Sequence, residues 1–193
     1  MGIKIRSLSK KFDDKCIIDS LSVDLPDRGI VKIVGPSGRG KTTFLRIVAG
    51  LDTDYTGEVM GANKVSFCFQ EYRLLPWLNA LDNSLLPYLG EKNIEEKRPI
   101  ASEILLSLGF TESDLKLRPS ELSGGMKQRV SLARALIYDA PVRIFDEPTK
   151  ELDPVLAKRV IEAIKEASTD SLILIVSHEA YLDDSDIALK IEL

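Results

Sequence analysis

The sequence predicts an α/β fold: a parallel sheet covered by helices on both faces, an N-terminal antiparallel β subdomain and an inserted α-helical subdomain. Three observations predict it. In the last third of the chain short apolar runs alternate with amphipathic stretches, the pattern of strands buried on both faces and crossed by helices. Residues 1–26 alternate apolar and polar side chains, the period of antiparallel strands with one solvated face. Between 70 and 123 the apolar residues change to helical spacing. At 193 residues the chain suits one domain with a substantial core. Within it we expect 1–70 and 132–193 to form the β and core parts and 71–131 the helical subdomain.

Taken in order, Ile3/Ile5 and Ile17/Ile18 to Leu25 read as two antiparallel strands separated by a polar turn region, Lys10–Lys15. Ile30–Val34 is an apolar run of strand length, and Phe44–Gly50 after the glycine-rich stretch 35–43 is helix-forming. Gly50–Gly57 reads as a connector, and Glu58–Met60 and Lys64–Phe69 as short strands around Gly61-Ala62-Asn63. In the insert Trp77, Leu78, Leu81, Leu85 and Leu86, then Ile100, Ile104, Leu105 and Leu108, recur helically, broken by Pro87, Gly90, Pro99 and Gly109. Leu74–Leu78 carries more apolar residues in a row than one face of a short helix buries. It forms either the insert's small core or an exposed docking patch. Ser123-Gly124-Gly125 opens a helix containing Val130, Ala133, Arg134, Leu136 and Ile137. The strand Val142–Phe145, a helix over 154–167, the strand Ser171–Val176, a short helix near Glu179 and a strand Ile187–Ile191 complete the pattern. Arg143 is out of place within a strand, so its head group is expected to be paired or to reach solvent.

Composition narrows the function. Apolar residues make up 44% and charged ones 29%, and the formal net charge is −4 without long Lys/Arg blocks, which argues against nucleic acid as the main ligand. Cys16 and Cys68 stand far apart with no second thiol or histidine at metal-ligand spacing, so both read as reduced structural thiols and zinc is not expected. The start Met1–Arg6 alternates like a strand and lacks the apolar core of a signal peptide. The longest apolar runs, such as Leu172–Val176, are too short to span a bilayer. A cytoplasmic chain is expected, and any membrane is supplied by another polypeptide.

The chemistry begins at Gly35-Pro36-Ser37-Gly38-Arg39-Gly40-Lys41-Thr42-Thr43, which fits GxxxxGK[ST] between an apolar strand and a helix. Glycines at 35, 38 and 40 let the backbone curl so that consecutive N–H groups face phosphate oxygens at a helix N-terminus. Lys41 would reach the β- and γ-phosphates, and the Thr42 hydroxyl is placed to ligate a Mg²⁺ bridging them. Val142–Phe145 ends in Asp146-Glu147. A strand-terminal Asp of this kind holds Mg²⁺ in P-loop proteins, and Glu147 projects differently, as a candidate to polarise an attacking water. This is a nucleoside triphosphate site. The single histidine, His178, follows the strand ending at Val176; on its own such a residue is more often structural than catalytic.

Leu122-Ser123-Gly124-Gly125-Met126 resembles the signature motif of ATP-binding cassette (ABC) ATPases, and with it the whole chain resembles that family in motif order. The resemblance assigns Phe12 to the aromatic that stacks on adenine, Gly35–Thr43 to Walker A, Gln70 to the Q-loop, Val142–Glu147 to Walker B, Asp153 to the D-loop acid and His178 to the H-loop switch. It implies a P-loop NTPase (RecA-like) core, ATP with Mg²⁺, and hydrolysis with Glu147, His178 and Gln70 in catalytic roles. Thr42, Gln70 and Asp146 would face the metal. A Ser-Gly-Gly at a helix start is physically a second anion site. In the family two protomers pack head to tail when ATP-bound, so Ser123, Gly124 and Gly125 of one would close on the γ-phosphate held by Lys41 of the other.

Met126 departs from the usual glutamine, and Lys150-Glu151 occupy a D-loop segment that is commonly small and uncharged. Both are expected to tune the dimer contact. The short stretch after His178 argues against an appended regulatory domain. The segment Phe69–Asn83, with Leu-Leu-Pro-Trp after Gln70, resembles importers of nitrate, sulfonates, taurine and related solutes. That resemblance implies integral-membrane permease partners, an extracytoplasmic solute-binding protein acting indirectly, and a peripheral place on the inner face of the cell membrane. The alternatives are an ATPase of an exporter or lipoprotein-release system, a soluble non-transport ATPase, and a nucleotide-binding module that does not hydrolyse. The intact Glu147 disfavours the last.

Overall fold

In the computed structural model, which describes residues 2–13, 15–61, 64–177 and 181–193, the elements follow in the order β1 (Lys4–Phe12), β2 (Lys15–Asp24), β3 (Gly29–Val34), α1 (Lys41–Val48), β4 (Thr56–Met60), β5 (Val65–Cys68), α2 (Ala80–Ser84), α3 (Ile94–Ser107), α4 (Gly124–Ile137), β6 (Val142–Asp146), α5 (Pro154–Ala167), β7 (Leu172–Val176) and β8 (Ile187–Glu192). Among the described residues two sheets form: an antiparallel one of order β2-β1-β4 and a parallel one of order β5-β6-β7-β3-β8. No helix among them is long and apolar enough to cross a membrane.

Burial explains the parallel sheet. Leu172, Leu174 and Val176 of β7 face one side, with Val31, Ile33 and Ile144, against Phe44, Leu45, Ile47 and Val48 of α1 and the inner face of the antiparallel sheet. Ile173 and Ile175 face the other side, with Ile30 and Phe145, against Val130 and Ala133 of α4 and Val160, Ile161 and Ile164 of α5. Every residue of β7 is buried, and at about 1.5–3 kcal/mol per fully buried aliphatic side chain this central strand anchors both layers. The sheet's carboxyl edge, where β3, β6 and β7 end, is thereby fixed as the place where loops converge.

Several expectations need correction. The polar turn expected over Lys10–Lys15 is narrower: β1 runs through Phe12 and β2 resumes at Lys15. Lys10 belongs to the strand with its side chain buried, because Asp52 and Asp54 supply its counter-charge. Glu58–Met60 and Lys64–Phe69 do not share a sheet: β4 pairs with β1, while β5 joins β6. Pro99 does not break the helical insert but lies inside α3. Arg143 is half-buried with its Nε lacking a partner, and burial lowers its pKa against the field of Asp139, Tyr88 and Asp170. The helix expected near Glu179 falls outside the described residues. Both cysteines are free, Cys16 exposed and Cys68 buried, and burial pushes the Cys68 thiol up to about 11.

The Leu74–Leu78 segment divides. Leu74, Leu75 and Leu78 are half-buried, whereas Trp77 keeps 66% of its surface exposed. Asn83, fully buried on α2, holds the segment in shape: its Oδ1 accepts from the Leu75 N–H at 2.8 Å, and its Nδ2 donates to the carbonyls of Leu75, Leu78 and Asn79 at 3.0–3.1 Å.

Candidate functional site: a nucleotide cleft at the sheet edge

A cleft of about 340 Å³ opens at the carboxyl edge of the sheet, lined by Phe12, Ile17, Ser37, Gly38, Gly40, Lys41, Thr42, Thr43, Gln70, Asp146, Glu147 and Val176. Gly35, Gly38 and Gly40 all hold positive φ, of 145°, 75° and 90°. Gly40 is also needed for space, since a Cβ there would lie 2.3 Å from the Ile17 methyl. The loop so formed delivers α1 with Gly40 as its N-cap residue and no side-chain cap, and Gly40 to Thr43 at this helix start, an end that attracts anions, line the cleft. Lys41 is buried and folds its Nζ back onto the carbonyls of Gly35 and Pro36 at 2.8 and 3.0 Å. Those two residues serve as lysine acceptors and do not line the cleft; Arg39 is exposed, its N–H donating to the Pro36 carbonyl at 3.4 Å.

Strand β6 brings the carboxylates. Asp146 is 2% exposed and accepts the Thr42 hydroxyl at 2.7 Å. Its pKa is raised above the usual carboxylate value, first by burial and also by the neighbouring Glu147, against the pull of the Thr42 hydroxyl, Lys41 and Lys150. A buried, costly carboxylate touching a hydroxyl is a pair of hard oxygen donors. That donor chemistry fits Mg²⁺, which takes few protein ligands and keeps its waters. Among the described residues no cluster of three acidic, histidine or cysteine side chains is placed to hold a metal. Glu147 sits in the left-handed region at φ 53°, with its N–H on the Val176 carbonyl at 2.9 Å. Such a backbone costs roughly 1–3 kcal/mol, and the carboxylate it carries meets Gln70 Nε2 at 3.4 Å and Lys150 Nζ at 3.3 Å.

Ser123, Gly124, Gly125 and Asp153 do not line this cleft. Ser123 is exposed and caps α4 by accepting from the Met126 N–H at 3.2 Å. Asp153 caps α5, accepting from the Val155 and Leu156 N–H groups at 3.0 and 3.1 Å. Glu151 lies beside Gly124 and Gly125. At φ 67° it accepts the Tyr72 hydroxyl, and its Oε2 is 3.0 Å from where a Cβ on Gly124 would stand. Arg134 of α4 donates to the carbonyls of Tyr72 and Arg73 at 2.9 and 2.8 Å, so the stretch after Gln70 is tied to the helix opened by Ser123. His178 lies outside the described residues. Reading the sequence missed Ile17 and Val176 as cleft walls; a strand alternation on β2 and the apolar end of β7 are the signals that mark them.

A family model described as ABC transporter matches residues 18–150. The chain belongs to the ABC transporter family. It is 38% identical to the aliphatic sulfonates import ATP-binding protein SsuB 2 of Rhodococcus jostii, over 97% of this chain and 75% of that one. Against the aliphatic sulfonates import ATP-binding protein SsuB of Rhodopseudomonas palustris it is 37% identical over 93% and 66%. Among solved structures, it resembles the dimeric post-hydrolysis state of the ATP-binding cassette MJ0796 bound to ADP and Pi. There the TM-score is 0.83, with 29% identity over 92% of this chain and 88% of that one. The α/β P-loop architecture and the ATPase activity expected from the sequence are thus those of this ABC family.

Proposed function

We propose that this ABC ATPase is the energy-converting subunit of a bacterial importer for a small sulfonate-, nitrate- or taurine-like solute, acting as a head-to-tail dimer on a separate permease. The observation that carries the dimer is the separation of two anion-binding surfaces. The cleft holds Lys41, Thr42 and the two carboxylates, while Ser123–Gly125 present an exposed, capped helix start that contributes nothing to it. A second copy would bring its Ser123–Gly125 over the first copy's cleft, in keeping with the dimeric state of the similar cassette. The import assignment rests on the sulfonate-import relatives and on the exposed Trp77 patch, a surface suited to a permease helix. A solute-binding protein outside the cell would act through that permease, and the subunit would sit peripherally on the inner face of the membrane.

The residues then divide the work. Phe12 stacks on the base, Ser37–Thr43 enclose the phosphates with backbone N–H groups, and the Lys41 ammonium exchanges its two carbonyl partners for phosphate oxygens. Thr42, Asp146 and Gln70 would hold a Mg²⁺, which supplies charge compensation on the β- and γ-phosphates when bound. Glu147 orients and polarises the attacking water from its position of positive φ at the end of β6. His178 and Gln70 sense the γ-phosphate, and Asp153 orders the segment facing the partner. Movement of Gln70 passes to the 71–131 helical subdomain through the Arg134 ties. The test is Glu147→Gln. It keeps the shape and loses the polarising charge, so ATP binding should persist, turnover should stop and an ATP-dependent dimer should accumulate in light scattering. Turnover at the parent rate would overturn the role given to Glu147.

A further inference from the structure

Lys10 is a lysine with a 3% exposed side chain, near the end of β1, the central strand of the antiparallel sheet, in a stretch that the sequence marks as polar. Its Nζ donates to Asp52 Oδ1 at 3.0 Å, to Asp54 Oδ2 at 3.2 Å and to the Asp54 carbonyl, and Asp52 is itself fixed by accepting the Asp54 N–H at 3.1 Å. Burial opposes the charge, yet these hydrogen bonds win and hold the pKa above the usual lysine value. Stability alone does not call for such a cluster, because an apolar side chain of similar size fills a buried site at less desolvation cost. The neighbour that distinguishes the place is Phe12. Two residues apart on a strand, the pair falls on one face, and Nζ stands 4.9 Å from the ring centroid. Phe12 is meanwhile half exposed and lines the nucleotide cleft.

We propose that Lys10 is a positioning residue for the nucleotide base, acting through Phe12: its ammonium, anchored by Asp52 and Asp54, fixes the ring and draws its π-electrons, while the open part of the ring receives the base. This rests on the reading of Phe12 as the base-stacking residue. A cation against an aromatic ring is attracted to its face and restrains its tilt. A ring polarised in this way offers an electron-poorer surface to a purine. The anchor belongs to the loop after α1, so one side chain ties the base side of the site to the element that carries Lys41 and Thr42.

The experiment compares two ligands on the whole chain by calorimetric titration in the same magnesium buffer: ATP, which has a base, and inorganic tripolyphosphate, which does not. Lys10→Met should raise the Kd for ATP about fivefold, the size of an exposed cation–π contact, while leaving the Kd for tripolyphosphate within about twofold. Lys10→Arg should restore ATP binding. In a Phe12→Leu background, Lys10→Met should change the ATP Kd by less than about twofold, because the ring it acts through is gone. Should Lys10→Met not fold, Lys10→Met/Asp52→Asn, which avoids a carboxylate stranded without its cation, reads the same quantities. Equal losses for both ligands, or an undiminished loss in the Phe12→Leu background, would show a merely structural lysine and overturn the proposal. If Phe12→Leu weakens ATP binding and Lys10→Met does not, the role of Lys10 falls while that of Phe12 stands. If Phe12→Leu itself leaves ATP binding unchanged, the base-stacking reading falls and the proposal with it.

Discussion

Replacing Asn83 by leucine keeps the side chain's volume and removes the hydrogen bonds that shape the 75–79 loop. Two of the four backbone groups it serves have other partners: the Leu75 carbonyl also accepts the Leu78 N–H at 3.2 Å, and the Asn79 carbonyl the Asn83 N–H at 3.0 Å. The Leu75 N–H and the Leu78 carbonyl depend on Asn83 most. Leaving a half-buried donor and acceptor unpaired costs about 1–3 kcal/mol each, so the pair predicts a loss of roughly 2–4 kcal/mol after some relaxation. For a chain of this size that lowers the Tm by about 5–15 °C. Urea unfolding at 25 °C measures the loss directly, and a change below about 1 kcal/mol would refute the reasoning. The same clamp presents Trp77 outward. Well below its Tm, Asn83→Leu should therefore still hydrolyse ATP yet fail to co-purify with the permease. Trp77→Gln should lose the permease with no loss of stability, since a side chain left 66% exposed contributes little to the core. A clear fall in its Tm would instead make the patch part of the core.

Two further predictions concern the carboxylates. Glu151 places an anion beside the first turn of α4, the surface proposed to receive the partner's γ-phosphate, so Glu151→Ala should lower the ATP concentration at which the Glu147→Gln chain dimerises, read by light scattering; an unchanged midpoint would contradict that competition. Asp146 has a folded pKa above its unfolded one, so the folded state binds the extra proton. Stability is therefore lost as pH rises from the ordinary carboxylate value of 3.8 through the raised value, and the full penalty stands once the pH is above it. Asp146→Asn removes that penalty, and in EDTA its stability relative to the parent should be more favourable at pH 7 than at pH 4; a pH-independent difference in urea midpoints would contradict the burial-driven shift.

The parts legible in the sequence were those that depend on local pattern. The run Leu172–Val176 reads as a strand and is one, buried along its whole length, and 35–43 reads as a glycine-rich turn between a strand and a helix, which β3 and α1 supply. The parts that escaped depend on partners distant in sequence. Lys10 reads as solvated until Asp52 and Asp54 are brought against it. Glu58–Met60 and Lys64–Phe69 read as neighbours, yet the chain crosses between sheets within a few residues, because β1 and β6 each lacked an edge partner. Pro99 reads as a helix breaker, but one lost N–H was outweighed by burial of Ala101 and Leu105 and by Arg98 bridging Glu95 and Asp82. The positive φ of Glu147 and Glu151 has no signature in residue type, and it decides where two carboxylates of the site point.

The central claim is that the ATP site is shared between two copies, with Lys41 from one and Ser123 from the other. Complementation tests it most directly. Lys41→Ala and Ser123→Arg chains, each inactive alone, are mixed in equal amounts and their ATPase activity is measured. A mixed dimer carries one site with both lesions and one with neither. Random pairing then predicts recovery to about a quarter of parent activity, half of the dimers having one of two sites intact. Activity no higher than the sum of the two separate variants would contradict a shared site.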